Sequence, residues 1–252
     1  MTGWAVVTGA SGGLGAGFAK ELARQGANLI LVARSADKLE TLADELRARY
    51  RIQVETWPCD LVNRGARAVL AADLASREIH TLVNNAGFGS IGDFTDLPQE
   101  RISAEVELNV VALTDLTRTV LPGMKQRDRG AVINIASTAA FQPIPGFTTY
   151  AATKSYVLRL SIGLWAELHN TGVRVLAVCP GPTDTGFFSA AGNDQVMGHR
   201  RSVEQVVATS FKALRRHRPY VVDGVGNTIM AEATRLVPAT WVSQMAGWIA
   251  SH

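Results

Sequence analysis

Trp4-Ala5-Val6-Val7-Thr8-Gly9-Ala10-Ser11-Gly12-Gly13-Leu14-Gly15 passes from an apolar, strand-like run through a glycine-rich turn into a helical pattern. That pattern continues from Gly13 to Arg24 and has Gly26 as its stop. Glycines let a backbone turn tightly and approach a pyrophosphate closely. The helix start that follows offers unpaired N–H groups and a partial positive charge, which suit an anion. A strand, a glycine loop and a helix in this order are what a dinucleotide site requires.

The same alternation runs outward through the chain. Leu29-Ile30-Leu31-Val32 is a continuous apolar run, as expected of a strand buried on both faces. Further strands are expected over 53–57, 81–83, 131–135, 173–178 and 220–222. Helices are expected over 38–49, 66–74, 99–121 (ended near Pro122) and after Tyr150. Strands interleaved with helices imply a mostly parallel, doubly wound α/β sheet, and crossover handedness favours a Rossmann-like winding. No linker, repeat or low-complexity tract divides the chain, so all of 1–252 reads as a single domain.

With 252 residues, 47% apolar and 19% charged, the chain can bury a full core. A net charge of +3 is too small and scattered to argue for nucleic acid. His199-Arg200-Arg201 and Arg215-Arg216-His217-Arg218 read as solvated loop or helix-end charges. The two cysteines, Cys59 and Cys179, fit a reduced, cytoplasmic setting rather than a disulfide scaffold or a metal site. No signal peptide is expected ahead of Thr8-Gly9. The apolar stretch near the C-terminus is interrupted by Glu232, Arg235 and Pro238, which argues against a spanning helix.

Tyr150 and Lys154 stand four apart in Tyr150-Ala151-Ala152-Thr153-Lys154, so a helix places them on one face. An ammonium beside a phenol is expected to lower the phenol pKa by roughly 1–3 units, towards the range of a general acid. Ser137 closes the run Val132-Ile133-Asn134-Ile135-Ala136-Ser137 just upstream. A competing motif occupies the glycine loop. Gly9-Ala10-Ser11-Gly12-Gly13 matches G-x-S-x-G, which would make Ser11 a hydrolase nucleophile. Such an elbow normally follows several strands, and only one precedes it here. His169, His199 and His217 show no placement suited to a triad. No phosphate-binding P-loop, zinc-protease or calcium-loop pattern is present, and His80 and His252 have no ligand partners at suitable spacing.

Taken in order, these motifs resemble the short-chain dehydrogenase/reductase family over roughly residues 4–224. Thr8 to Gly15 matches its TGxxxGxG, and Asn84-Asn85-Ala86-Gly87 its NNAG. Asn109 matches its helix asparagine; Ser137, Tyr150 and Lys154 match the remaining catalytic positions. Asp60-Leu61 matches the adenine-side pair, and Pro180-Gly181 the turn after the sixth strand. The resemblance implies that Tyr150 exchanges a proton with the reacting oxygen, that Ser137 hydrogen-bonds that oxygen, and that Lys154 lowers the Tyr150 pKa and binds the nicotinamide ribose. It also implies that Asn109 holds a water on the proton route. The cofactor contacts so implied are Gly9, Ser11, Gly13, Leu14, Gly15, Asp60, Leu61, Asn85, Ala86, Gly87, Pro180, Gly181, Thr183 and Thr185, with Tyr150 and Lys154. Asn85 partly braces the sheet in the family, and Thr183 stands where the family usually has Val or Ile. The stretch from Leu29 to Leu46 is similar to the branch holding long-chain ketoacyl and steroid reductases.

The second strand ends in Val32-Ala33-Arg34-Ser35, without the acid that would bind a ribose diol. Arg34 suits a phosphate dianion, so NADP(H) is the expected cofactor, with Ser35 as a further contact. Expected pocket walls are Phe88, Phe141, Pro143, Phe147, Phe187 and Phe188, with Ser137. They predict a hydrophobic ketone or alcohol. Residues 182–201 are expected to form a lid, and 229–252 a tail whose Trp241, Met245, Trp248 and Ile249 pack on the body, close a homo-dimer or homo-tetramer interface, or touch a membrane surface. A regulator that binds NADP(H) without turnover stays open as an alternative.

Overall fold

Strand β1 (Trp4–Thr8) sends Ala5 and Val7 to one face of its sheet and Val6 to the other, and all three are fully buried. A strand dry on both faces needs helices on both. In this computed structural model, which describes residues 3–185, 187, 200–234, 237, 238, 240 and 241, they are supplied by the crossovers. The strands β2 (Asn28–Ala33), β3 (Val54–Pro58), β4 (Ile79–Asn84), β5 (Gly130–Ile135), β6 (Val173–Cys179) and β7 (Tyr220–Val222) join β1. All pairings are parallel, in the order β3-β2-β1-β4-β5-β6-β7. The sheet is therefore Rossmann-like and doubly wound, and its order reverses between β1 and β4, the place where such sheets open a crevice.

Helices α1 (Gly13–Arg24), α2 (Ala36–Tyr50) and α7 (Val203–Arg215) cover one face, burying Phe18, Leu39, Leu46 and Phe211 against Val7, Leu31, Ile133 and Val178. Helices α3 (Arg64–Ala75), α5 (Leu113–Gln126) and α6 (Thr148–Glu167) cover the other. There Leu70, Leu116 and Met124 meet Val6, Ile30, Leu82 and Val132. Helix α4 (Gln99–Val106) runs into α5 through a π-helical turn at Glu107–Ala112, and α8 (Val225–Ala233) follows β7.

The expected stop near Pro122 is not where the helix ends: α5 continues to Gln126 with Pro122 inside it. Pro122 is exposed, so the carbonyl it leaves unbonded faces water, while buried Val120 and Met124 anchor the helix on either side. Helix α7 had no counterpart among the expected elements, although Ser202 and Gln205 form a reciprocal capping box at its start, a pattern readable as S-x-x-Q. Of the expected lid, residues 186 and 188–199 lie outside the described residues. So do Phe188 and, from the tail, 235, 236, 239 and 242–252 with Met245, Trp248 and Ile249.

A buried polar chain crosses the sheet at its carboxyl end. Asn84 Nδ2 donates to Thr117 Oγ1 on α5 and to Asn134 Oδ1 on β5, both at 2.9 Å. Asn134 Nδ2 donates to Ser161 Oγ on α6 at 2.9 Å, and Ser161 donates to the Val157 carbonyl at 2.7 Å. These bonds fix α5 and α6 in register with β4 and β5.

Candidate active site

The carboxyl ends of the strands open into a cleft of about 1780 Å³, larger than a usual small-molecule pocket and roomy enough for a dinucleotide with a substrate. The glycine loop forms its floor. Gly9 has φ +65°, and a side chain there would press on Asn85 and Ala86 at 2.7 and 2.9 Å. A side chain on Gly12 would meet nothing, so the backbone lies bare to the cleft. Helix α1 starts with no side-chain cap and no acid in its first turn. Its free N–H groups and positive end therefore remain available to an anion.

Two side chains hold the loop in place, buried Thr8 and half-buried Asn85. Thr8 Oγ1 accepts from the Asn85 and Ala86 N–H groups, both at 3.0 Å. Asn85 Nδ2 donates to the Thr8 carbonyl at 3.0 Å and the Gly9 carbonyl at 3.2 Å. Asn85 reaches the cleft wall, but its amide is spent on the loop backbone. Gly15, expected among the cofactor contacts, lies behind the loop and does not line the cleft. Its absent side chain is what lets α1 pack on Gly9, whose carbonyl would stand 2.2 Å away from it. Ser11, Gly13, Leu14, Asp60, Leu61, Ala86, Gly87, Pro180, Gly181, Thr183 and Thr185 all line the cleft with Gly9.

Tyr150, Lys154 and Ser137 meet on one wall of the cleft. Tyr150 stacks on Phe147 with ring centres 4.3 Å apart, and Phe187 packs at 5.3 Å. Lys154 Nζ donates to the Ile135 carbonyl at 2.8 Å and lies 5.6 Å from the Tyr150 ring centre. Ser137 caps the 3₁₀ turn Thr138–Phe141, accepting from the Ala139 N–H at 3.1 Å. Asn109 sits on the π-helical turn, behind the wall rather than on it. It accepts from the Phe88 N–H at 3.2 Å and donates to the Phe88 carbonyl at 2.9 Å and Thr153 Oγ1 at 3.1 Å. It thereby staples the Asn85–Phe88 segment to α6.

The expected lowering of the Tyr150 pKa by its lysine neighbour is not found. Burial pushes the Tyr150 phenol well above its usual value; the Ser137 hydroxyl pulls it back, and the Glu105 charge adds to the rise. Burial likewise pulls Lys154 down to about 8, against the attraction of Glu105. For both groups the loss of water outweighs what their neighbours restore.

Phe141, expected on the cleft wall, is placed elsewhere. It packs against Tyr220 at 6.0 Å within a core cluster, and neither it nor exposed Pro143 lines the cleft. Phe88, Phe147 and Phe187 do, together with Ile91, Ile144 and Met230, which the sequence did not single out. At the far end Arg34 and Ser35 are joined by Lys38, one helical turn on, whose spacing to Arg34 was the available signal. No histidine lines the cleft among the described residues, so Ser11 has no base beside it there.

A family model for short chain dehydrogenases matches residues 3–196. The chain is 36% identical over 181 residues to a very-long-chain 3-oxoacyl-CoA reductase from Bos taurus, an alignment covering 70% of this chain and 58% of that protein. It is 32% identical over 247 residues to a 17-beta-hydroxysteroid dehydrogenase type 3 from Danio rerio, covering 96% of this chain and 78% of the other. Among solved structures, a short-chain dehydrogenase from Sphingobium yanoikuyae in complex with NADPH superposes with a TM-score of 0.86 at 34% identity, over 93% of this chain and 94% of that one.

Proposed function

The chain belongs to the short-chain dehydrogenase/reductase family, whose members use a nicotinamide cofactor, and from that premise we propose that it interconverts a hydrophobic ketone and its secondary alcohol with NADP(H). The observation that carries this reading is the meeting of Tyr150, Lys154 and Ser137 on the wall of the cleft that the bare glycine loop floors. A bound nicotinamide dinucleotide supplies the hydride. Gly9, Ser11, Gly12 and Gly13, with the uncapped start of α1, would hold its pyrophosphate, and Asp60 and Leu61 its adenine side.

Tyr150 holds a proton at its phenol oxygen, and the alkoxide left by hydride addition to a carbonyl takes that proton. A raised phenol pKa keeps Tyr150 in the acid form that reduction needs at neutral pH. Ser137 hydrogen-bonds the reacting oxygen and so orients it towards Tyr150. An ammonium has three donors; Lys154 spends one on the Ile135 carbonyl, which leaves two for the ribose hydroxyls. Asn109 keeps the Phe88 segment and α6 at fixed separation, and with it the space for a relay water.

Support for NADP(H) comes from Arg34 and Lys38 at the adenine end, without a carboxylate on β2 to repel a 2′-phosphate. Support for a hydrophobic substrate comes from Phe88, Ile91, Ile144, Phe147, Phe187 and Met230 around the nicotinamide end. The relatives' names point the same way, towards long acyl chains and steroids. Exposed Val225, Ile229 and Trp241 on and beyond α8 favour a homo-oligomer that covers them.

Fluorescence titration with NADPH and NADH, followed by NADPH oxidation over a panel of long-chain 3-oxoacyl thioesters and steroid ketones, tests the reading. Tighter binding of NADPH and turnover of at least one bulky ketone are expected. Preference for NADH would reject the cofactor, and binding without turnover of any carbonyl would favour a regulator.

A further inference from the structure

Glu105 is fully buried on α4, and neither of its carboxylate oxygens completes a hydrogen bond. Such a group is among the costliest a fold can carry, and unless it does something an apolar side chain would be more stable there. Its surroundings are those of the active site. It precedes Asn109 by one turn, and α4 packs on α6, which carries Tyr150 and Lys154. Its charge is felt at both of those residues.

On the helix that carries Glu105, Arg101 lies one turn away and attracts it, while donating to Ser90 Oγ at 3.0 Å and the Gly89 carbonyl at 3.1 Å. Burial raises the Glu105 carboxyl above the usual carboxylate range; the Ser90 hydroxyl and amide on the loop before α4, Arg101 and Lys154 oppose that rise and favour its charged form. On the π-helical turn, Glu107 is drawn away to Arg67 at 2.7 Å. On α6, Tyr150 and Lys154 face inward, whereas Tyr156 and Arg159 lie on its exposed side. Beyond Lys154, the Cys179 thiol of β6 is pushed up to about 12 by burial and is therefore neutral. Lys154 is thus the cation of the reaction site whose charge the Glu105 carboxyl meets across dry protein.

We propose that Glu105 is a positioning residue of the reaction site, a buried counter-charge that holds Lys154 as an ammonium at neutral pH and so keeps its donors available to the cofactor ribose. This rests on the function proposed above for Tyr150 and Lys154. Burial works against that ammonium, and Glu105 opposes it through space in a medium where charges act strongly. Without Glu105, Lys154 would lose its proton at lower pH, and the Tyr150 phenol would lose one source of its upward push.

The test reads the Lys154 proton directly in the free, full-length protein. Lysine carrying ¹³C at Cε is incorporated, the Lys154 signal is assigned by its loss in Lys154→Met, and its titration midpoint is compared between the parent and Glu105→Gln. A midpoint lower by about half a pH unit or more in Glu105→Gln is expected, with the pH at which NADPH affinity declines moving the same way. Glu105→Met, apolar and of similar size, gives the same comparison should the Gln variant fail to fold. An unchanged Lys154 midpoint in a folded variant would overturn the inference. Because this readout needs neither cofactor nor turnover, it decides the role of Glu105 even where the parent oxidises no NADPH, the separate result that would count against the proposed function.

Discussion

Tyr150 and Lys154 are buried together at an energetic cost to the fold. Tyr150→Phe removes the transferable proton and leaves the ring stack on Phe147 intact. Turnover should fall by about 10²–10⁴-fold while NADPH affinity, read by fluorescence, stays within about threefold of the parent. Lys154→Met removes a cation that burial disfavours. The folded pKa of Lys154 lies near 8 against an ordinary 10.5, so between those values the unfolded chain binds the extra proton and stability rises with pH. Below pH 8 the penalty is present in full. The variant should therefore be more stable than the parent at pH 7, by about 1 kcal/mol or more, and the gain should shrink as pH approaches 10, as read by paired thermal melts. The spacing of Tyr150 and Lys154 was legible in the sequence because helical period alone puts them on one face. The direction of their pKa shifts was not, because it depends on how much water the surrounding fold removes. Glu105 was illegible for the same reason: a Glu in Ser103-Ala104-Glu105-Val106 reads as surface until the packing of α4 on α6 is known.

The glycine loop and α1 act as one element, and their glycines differ in what they tolerate. Gly15→Ala would set a methyl 2.2 Å from the Gly9 carbonyl. It should cost about 1–3 kcal/mol in thermal or denaturant unfolding and weaken NADPH binding by tenfold or more. Gly12→Ala faces open cleft with φ 175°, so it should leave the melting temperature unchanged and act on cofactor affinity alone. The loop motif in the sequence told that glycines were needed, but not that Gly15 serves helix packing while Gly12 borders the cleft. Alternation of apolar runs was enough to find the central strands, since strands dry on both faces are continuously apolar. It missed the end of α5, where burial of Val120 and Met124 overrides Pro122, and it assigned Phe141 to the cleft because an aromatic near a strand end is equally suited to the core.

At the scale of the molecule, the reversal of strand order between β1 and β4 puts the loop, the β2 end and the Tyr150 wall around one cleft. Parallel winding and the motif order were legible together, because a chain of βα units leaves few other topologies. The apolar lining was legible only in part, since Ile91, Ile144 and Met230 come from loops and α8 with no periodic signature. A ligand that binds the folded state alone stabilises it by about 2.7 kcal/mol at one hundred times its Kd. NADPH should therefore raise the melting temperature by roughly 5–10 °C for a chain of this size, and NADH at the same concentration should raise it less. Arg34→Ser should narrow that difference by lowering NADPH affinity about tenfold or more. The central claim is tested most directly by following NADPH absorbance with the parent and with Tyr150→Phe on the same panel of bulky ketones. Oxidation of NADPH with at least one ketone by the parent, and its near-complete loss in a Tyr150→Phe protein that still binds NADPH, is the expected result. A Tyr150→Phe protein that turns over at near the parent rate would contradict it.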